Sequence, residues 1–95
     1  MIQNPLEKDI EKAVKDYARS KGMLAYKFVS PGHSFVPDGI FIADDGRVFF
    51  IEFKRLGCKP TAGQQREINR MSVRGCDVFV VDSVDTGKAV IDAYC

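Results

Sequence analysis

The stretch VPDGIFIADDGRVFFIEFKR, from Val36 to Arg55, decides how this chain folds. It holds two apolar runs, GIFIA and VFFIEFK, on either side of Asp44-Asp45-Gly46. Short β-favouring runs around an Asp-Gly turn read as a β-hairpin. Three charged side chains interrupt that reading. Asp38 precedes the first run, directly after Pro37, and Glu52 and Lys54 sit inside the second. Side chains alternate across a strand, so Phe50, Glu52 and Lys54 share one face and Phe49, Ile51 and Phe53 the other. Large apolar groups on both faces mark a central strand. A carboxylate buried there without a partner costs several kcal/mol.

One resolution is structural: Glu52 and Lys54, roughly 7 Å apart at i and i+2, form an ion pair at the strand end. Asp38 shifts the balance. Pairing across the hairpin sets Asp38 opposite Phe53, within one position, and so beside Glu52 and Lys54. Two carboxylates that close repel each other unless a cation lies between them. Hard oxygen ligands suit Mg²⁺ or Mn²⁺.

The rest of the chain supplies the frame. Asn4-Pro5 reads as a helix start. Leu6, Ile10, Ala13, Val14, Tyr17 and Ala18 then recur at helical spacing, and Gly22 ends the run. Met23 to Val29 reads as a strand, and SPGHSFVP as a turn-rich loop. After the hairpin comes the loop LGCKPTAG. Thr61 caps a helix to about Arg74, ended by Gly75. Asp77 to Val81 is a fourth strand, and Ser83 or Asp85 caps a last short helix reaching Tyr94. The order α-β-β-β-α-β-α gives an α/β fold with a central mixed sheet flanked by helices.

Both long helices add polar residues to their core-facing sides. At ~100° per residue, Glu7 falls inside the apolar arc of the first helix, between Val14 and Ala18. Glu11 falls at its edge, while Lys8, Lys12 and Lys15 face away. Glu7 either favours the helix dipole or reaches the carboxylate cluster, directly or through water. Gln64 heads the buried stripe of the second helix, followed by Ile68 and Met71. Its amide needs partners: it caps backbone groups, or it holds Lys54 or a phosphate. Arg66, Arg70 and Arg74 recur every fourth residue on the outer face. With Arg55 and Lys59 they form either ordinary solvated charge or a phosphate-tracking ridge.

Composition bounds the remainder. Ninety-five residues, with 45% hydrophobic and 28% charged side chains, make a single globular domain over 1–95. The net charge of +1 rules out a strongly basic coat but allows a local basic face. No run approaches the ~18 apolar residues of a membrane span, and MIQNPLEKDI lacks a signal-peptide core, so a cytoplasmic location is expected. Cys58, Cys76 and Cys95 form no CxxC pair, which gives no support to a zinc ribbon or redox motif. Cys76 reads as a small core hydrophobe.

Pro37-Asp38 followed by Glu52-Phe53-Lys54 resembles the PD-(D/E)XK nuclease signature. With Glu7 before it and Gln64 after it, the order is similar to the VRR-NUC (virus-type replication-repair nuclease) family over about Leu6 to Ser83. IEFKR, KPTAGQ and RGCDVFVV are the most specific stretches. The resemblance implies a restriction-endonuclease-like core and a freestanding phage-type member in a bacterial host cell. It implies a homodimer that cleaves four-way junctions or other branched DNA, as Holliday junction resolvases do. In that reading Asp38, Glu52, the Phe53 carbonyl and Glu7 hold Mg²⁺ or Mn²⁺. Lys54 positions or deprotonates the attacking water, and Gln64 orients Lys54 or the scissile phosphate. His33 and Ser34 touch DNA near that phosphate.

Two other readings compete. One is a metal-independent ribonuclease using His33 with Tyr26 or Tyr17 and Lys54, although a lone histidine lacks the usual acid–base partner. The other is a non-catalytic nucleic-acid-binding or dimerisation module with a relic site. Retained buried charge argues against a relic.

Overall fold

The computed structural model describes residues 6–95. The elements run α1 (Glu7–Ser20), β1 (Leu24–Lys27), β2 (Gly39–Ile42), β3 (Val48–Phe53), α2 (Ala62–Ser72), β4 (Asp77–Val81) and α3 (Val84–Asp92). This is the order expected from the sequence. The helix start at Asn4-Pro5 lies outside the described residues. Within them Leu6 is extended, and its N–H donates to Asp9 Oδ2 at 3.2 Å, which fixes the first turn of α1. Thr61 Oγ1 and Ser83 Oγ accept from Gln64 N and Thr86 N, capping α2 and α3.

The four strands form one sheet in the order β1-β2-β3-β4. The first three are antiparallel neighbours, and β4 runs parallel to β3. A parallel pair needs a crossover, and α2 supplies it. In the hairpin Gly39 pairs with Ile51 and Ile42 with Val48. Continued one step, that register sets Asp38 opposite Glu52, one position from the expected Phe53 and within the expected margin.

The helices divide between the faces. α1 and α3 pack together on one face, where Ile10, Val14 and Ala18 meet Ala25, Phe41, Phe49, Ile51, Phe53, Val81 and Ile91. Phe49 is the hub, stacked on Phe41 at 5.2 Å and on Tyr94 at 4.0 Å, with Phe79 edge-on. Burying each such ring contributes about 1.5–3 kcal/mol. Gly87 lets α3 approach α1, because a Cβ there would run into both methyl groups of Val14.

The other face is only partly covered. α2 packs against β4 at one side. Leu24, Tyr26 and Val48 stay exposed and Ile40 and Ile42 half-buried, so an uncharged apolar surface spans β1, β2 and the start of β3.

Lys15 does not face away from the core as its helical position suggests. It is buried against Gly39, and its ammonium pairs with Glu11 at 2.6 Å. The reason is that α1 packs on the sheet and on α3 together, so its covered arc is wider than its apolar stripe and reaches Gly39 of β2. A lysine stem fills the edge and carries its charge to Glu11.

Candidate active site

Each site residue owes its place to a local feature. Pro37 is fully buried and presets an extended backbone at the entry to β2. Asp38 follows it. Its carbonyl accepts from Phe28 N and its Oδ2 accepts from Phe53 N, both at 2.8 Å. Asp38 is therefore bonded both to the segment after β1 and to the end of β3, which fixes its carboxylate in place.

Glu52 lies on the α2 side of β3 and is 2% exposed. Its Oε2 is buried with no hydrogen-bond partner. Burial, and then the Asp38 charge beside it, push its carboxyl up to about 8, against a smaller downward pull from Lys54. Without a counter-charge Glu52 is therefore held in its protonated form near neutral pH.

Lys54 follows β3, with its N–H donating to Val81 O at 2.9 Å. Its ammonium stands 4.0 Å from Glu52 Oε1 but donates to Gln64 Oε1 at 2.7 Å. Gln64 Oε1 also accepts from Thr61 N at 2.9 Å. The two roles open to Gln64 are thus one: the amide that closes the cap of α2 also holds the lysine. Drawn toward Gln64, Lys54 leaves the acidic pair with one orphaned oxygen. That oxygen and the Asp38 carboxylate are hard donors whose shared deficit is positive charge, which fits a divalent cation.

Comparison with known proteins gives this geometry a lineage. No family model matches the chain. A phage protein named "Putative nuclease p44", from Acyrthosiphon pisum secondary endosymbiont phage 1, is 44% identical over 79 residues. The match covers 83% of this chain and 85% of the relative. A solved structure described as a VRR_NUC domain superposes with a TM-score of 0.86 at 33% identity, covering 94% of this chain and 97% of the other. The chain belongs to the VRR-NUC family. A second solved structure, a VRR_NUC domain protein, shares the fold with a TM-score of 0.77 at 17% identity. It matches 97% of this chain and 89% of that one. VRR-NUC nucleases are of the PD-(D/E)XK type.

The structure brings together Asp38, Glu52, Lys54 and Gln64. Glu7 is half-buried at the start of α1, and no hydrogen bond or ion pair joins it to the pair. Among the described residues no three His, Cys, Asp or Glu side chains are close enough to hold an ion by themselves. His33, Ser34, Arg66 and Arg70 line one cavity of about 290 Å³. Arg55 and Lys59 are exposed on the loop after β3 and do not line it. A larger cavity, about 500 Å³, lies by the Asp44–Gly46 turn, away from the carboxylates.

Two residues of this VRR-NUC chain carry more than the sequence suggested. Glu67 meets His33 Nε2 at 3.0 Å and Arg70 Nε at 3.7 Å, and these neighbours hold its carboxyl below the usual range. The signal for it was its i,i+3 spacing to Arg70. Phe35 has φ 73, in the left-handed region, and packs on Gly63. Nothing in its sequence position foretells that backbone.

Tyr17 donates to Asp92 at 2.7 Å on the α3 side, and His33 is bonded to Glu67. Neither is joined to Lys54. The three cysteines are free, with Cys76 half-buried. Among the described residues no helix is long and apolar enough to cross a membrane.

Proposed function

We propose that this VRR-NUC nuclease is a divalent-metal-dependent endodeoxyribonuclease acting on branched DNA as a homodimer. The observation that carries the reading is the buried Glu52 oxygen without a partner, beside Asp38, with Lys54 tethered to Gln64. Asp38, Glu52 and the Phe53 carbonyl would hold Mg²⁺ or Mn²⁺, with Glu7 joining through water. A cation bound there supplies Lewis acidity and a water of lowered pKa.

The protein's own groups do the rest. Lys54 presents its ammonium to the attacking water and to the charge that develops on the phosphate. Gln64 limits the arc over which that ammonium moves. Arg66 and Arg70 bind the flanking backbone from α2, with His33 and Ser34 facing them across the cavity, and Arg55 and Lys59 extend the track.

The uncharged half of the sheet face supports the dimer. A surface of Leu24, Tyr26, Ile40, Ile42 and Val48 offers nothing to phosphates and suits a second copy related by a two-fold axis. Two sites facing one junction would nick its two strands symmetrically.

The test is cleavage of a four-way junction, a flap and plain duplex with Mg²⁺, Mn²⁺ or chelator. Paired nicks in the junction, absent in chelator and in Asp38→Asn, are expected. Cleavage that survives chelation would overturn the metal-dependent reading. Sedimentation reads the dimer, with Tyr26→Lys expected to give monomers.

A further inference from the structure

We propose that the cavity between the Ser30–Val36 loop and the start of α2 binds one unpaired DNA base, stacked on Phe35, next to the scissile phosphate. The proposal rests on the nuclease reading for its substrate and adds what the enzyme recognises.

The first observation is strain. Phe35 adopts φ 73, a conformation that bulky side chains seldom take. Such outliers persist where the surroundings over-determine them, and they cluster at functional sites. Here the surroundings are visible. The ring lies so close to α2 that a Cβ on Gly63 would come within 2.8 Å of Phe35 Cζ. His33, two residues earlier, is bonded to Glu67 one turn further along the same helix. The loop is thus held at two points against α2, with a glycine where the aromatic ring needs room.

The second observation is exposure. Although wedged against Gly63, Phe35 remains 53% exposed. A ring held for its contribution to the core would be covered, and this one is presented. It opens on the cavity of about 290 Å³ that His33, Ser34, Arg66 and Arg70 also line. That volume lies at the lower end for small-ligand pockets and has room for a base but not for a duplex.

Charge and position complete the case. Glu67 is bonded to His33 and paired with Arg70, while Arg66 has no ion-pair partner among the described residues and is open to a phosphate. Phe35 lies three residues before Asp38, a span of about 10 Å at most. Gly63 adjoins Gln64, which holds Lys54. A base in the cavity therefore belongs to a nucleotide at or beside the phosphate under attack. A base inside a duplex is stacked on its neighbours and has no face to offer. Junction crossovers, flaps and single strands have one.

The experiment reads binding without turnover. Full-length Lys54→Ala protein is titrated into oligonucleotides carrying 2-aminopurine, either unpaired beside a junction or within plain duplex. Stacking should quench the unpaired probe only. Phe35→Ala should weaken binding of the unpaired substrate by about five- to 150-fold, while duplex affinity changes far less. Phe35→Trp should restore both quenching and affinity. Gly63→Ala, which displaces the ring without removing it, should abolish quenching, and it carries the test if Phe35→Ala fails to melt cooperatively. Equal losses on duplex and unpaired DNA, or no rescue by tryptophan, would reduce Phe35 to a packing role and overturn the proposal. Quenching by Lys54→Ala protein, when the wild-type enzyme cleaves nothing with any metal, would sink the nuclease reading and leave the base pocket standing.

Discussion

On one face of the sheet Phe41, Phe49, Ile51 and Phe53 are sealed beneath α1 and α3; on the other, Glu52 is as deeply buried yet keeps an oxygen that nothing bonds. Both positions exclude water, but to different ends. The first uses dryness to gain stability from apolar area. The second uses it to hold charge at a cost, which makes sense where an ion is to be gripped. Because β3 contributes to both, substitutions one residue apart along it should act on different properties.

The largest effect is expected on the dry face. Phe49→Ala removes the ring shared by Phe41, Phe79 and Tyr94 and should cost about 3–5 kcal/mol in urea denaturation. A loss below about 1 kcal/mol would show that the aromatic cluster is not the stabilising centre. Next come Lys54→Ala and Asp38→Asn across the sheet. Each should lower single-turnover cleavage by about 10²–10⁴-fold while leaving the unfolding midpoint close to wild type. If either instead unfolds the protein, the two faces are not separable in the way described.

The pattern of legible and hidden features follows the same division. The hairpin, the order of elements and the cap at Thr61 were readable, and the last cap was narrowed to Ser83 or Asp85, because each rests on local chemistry: turn residues, alternation and side-chain oxygens. The pairing of Asp38 with Glu52 was readable to within one position, since a hairpin register follows from its turn. What local pattern cannot show is how elements pack. Lys15 faces inward because the arc of α1 that is covered depends on how the helix docks on the sheet beside Gly39. The joining of His33 to Glu67 and the left-handed backbone of Phe35 depend on α2 lying over a loop about thirty residues away in sequence.

A smaller effect sharpens the comparison through pH. Burial and Asp38 raise the Glu52 carboxyl to about 8, above its ordinary value, so the folded protein holds that proton more tightly than the unfolded chain. The stabilisation is complete below the ordinary carboxylate range and is lost as pH rises through about 8. The melting temperature of chelated protein should therefore fall between about pH 5 and 9, on the order of 5 °C or more, and Glu52→Gln should flatten the slope. An equally steep slope in the variant would place the titration elsewhere.

The smallest effect concerns Gln64. Gln64→Ala removes a capping contact and the tether on Lys54, costing about 1 kcal/mol of stability together with cleavage rate. Gln64→Glu keeps a cap acceptor, so it should regain stability. Recovery of rate in step with stability would mean the tether matters only through the cap.

The most direct test is a calorimetric titration of Mn²⁺ into the protein near pH 7, repeated in buffers of different ionisation enthalpy. The account predicts that the ion binds and displaces about one proton, taken from the Asp38–Glu52 pair, and that Asp38→Asn abolishes binding. Binding that is absent in the wild type, or that is unchanged in Asp38→Asn, would contradict it.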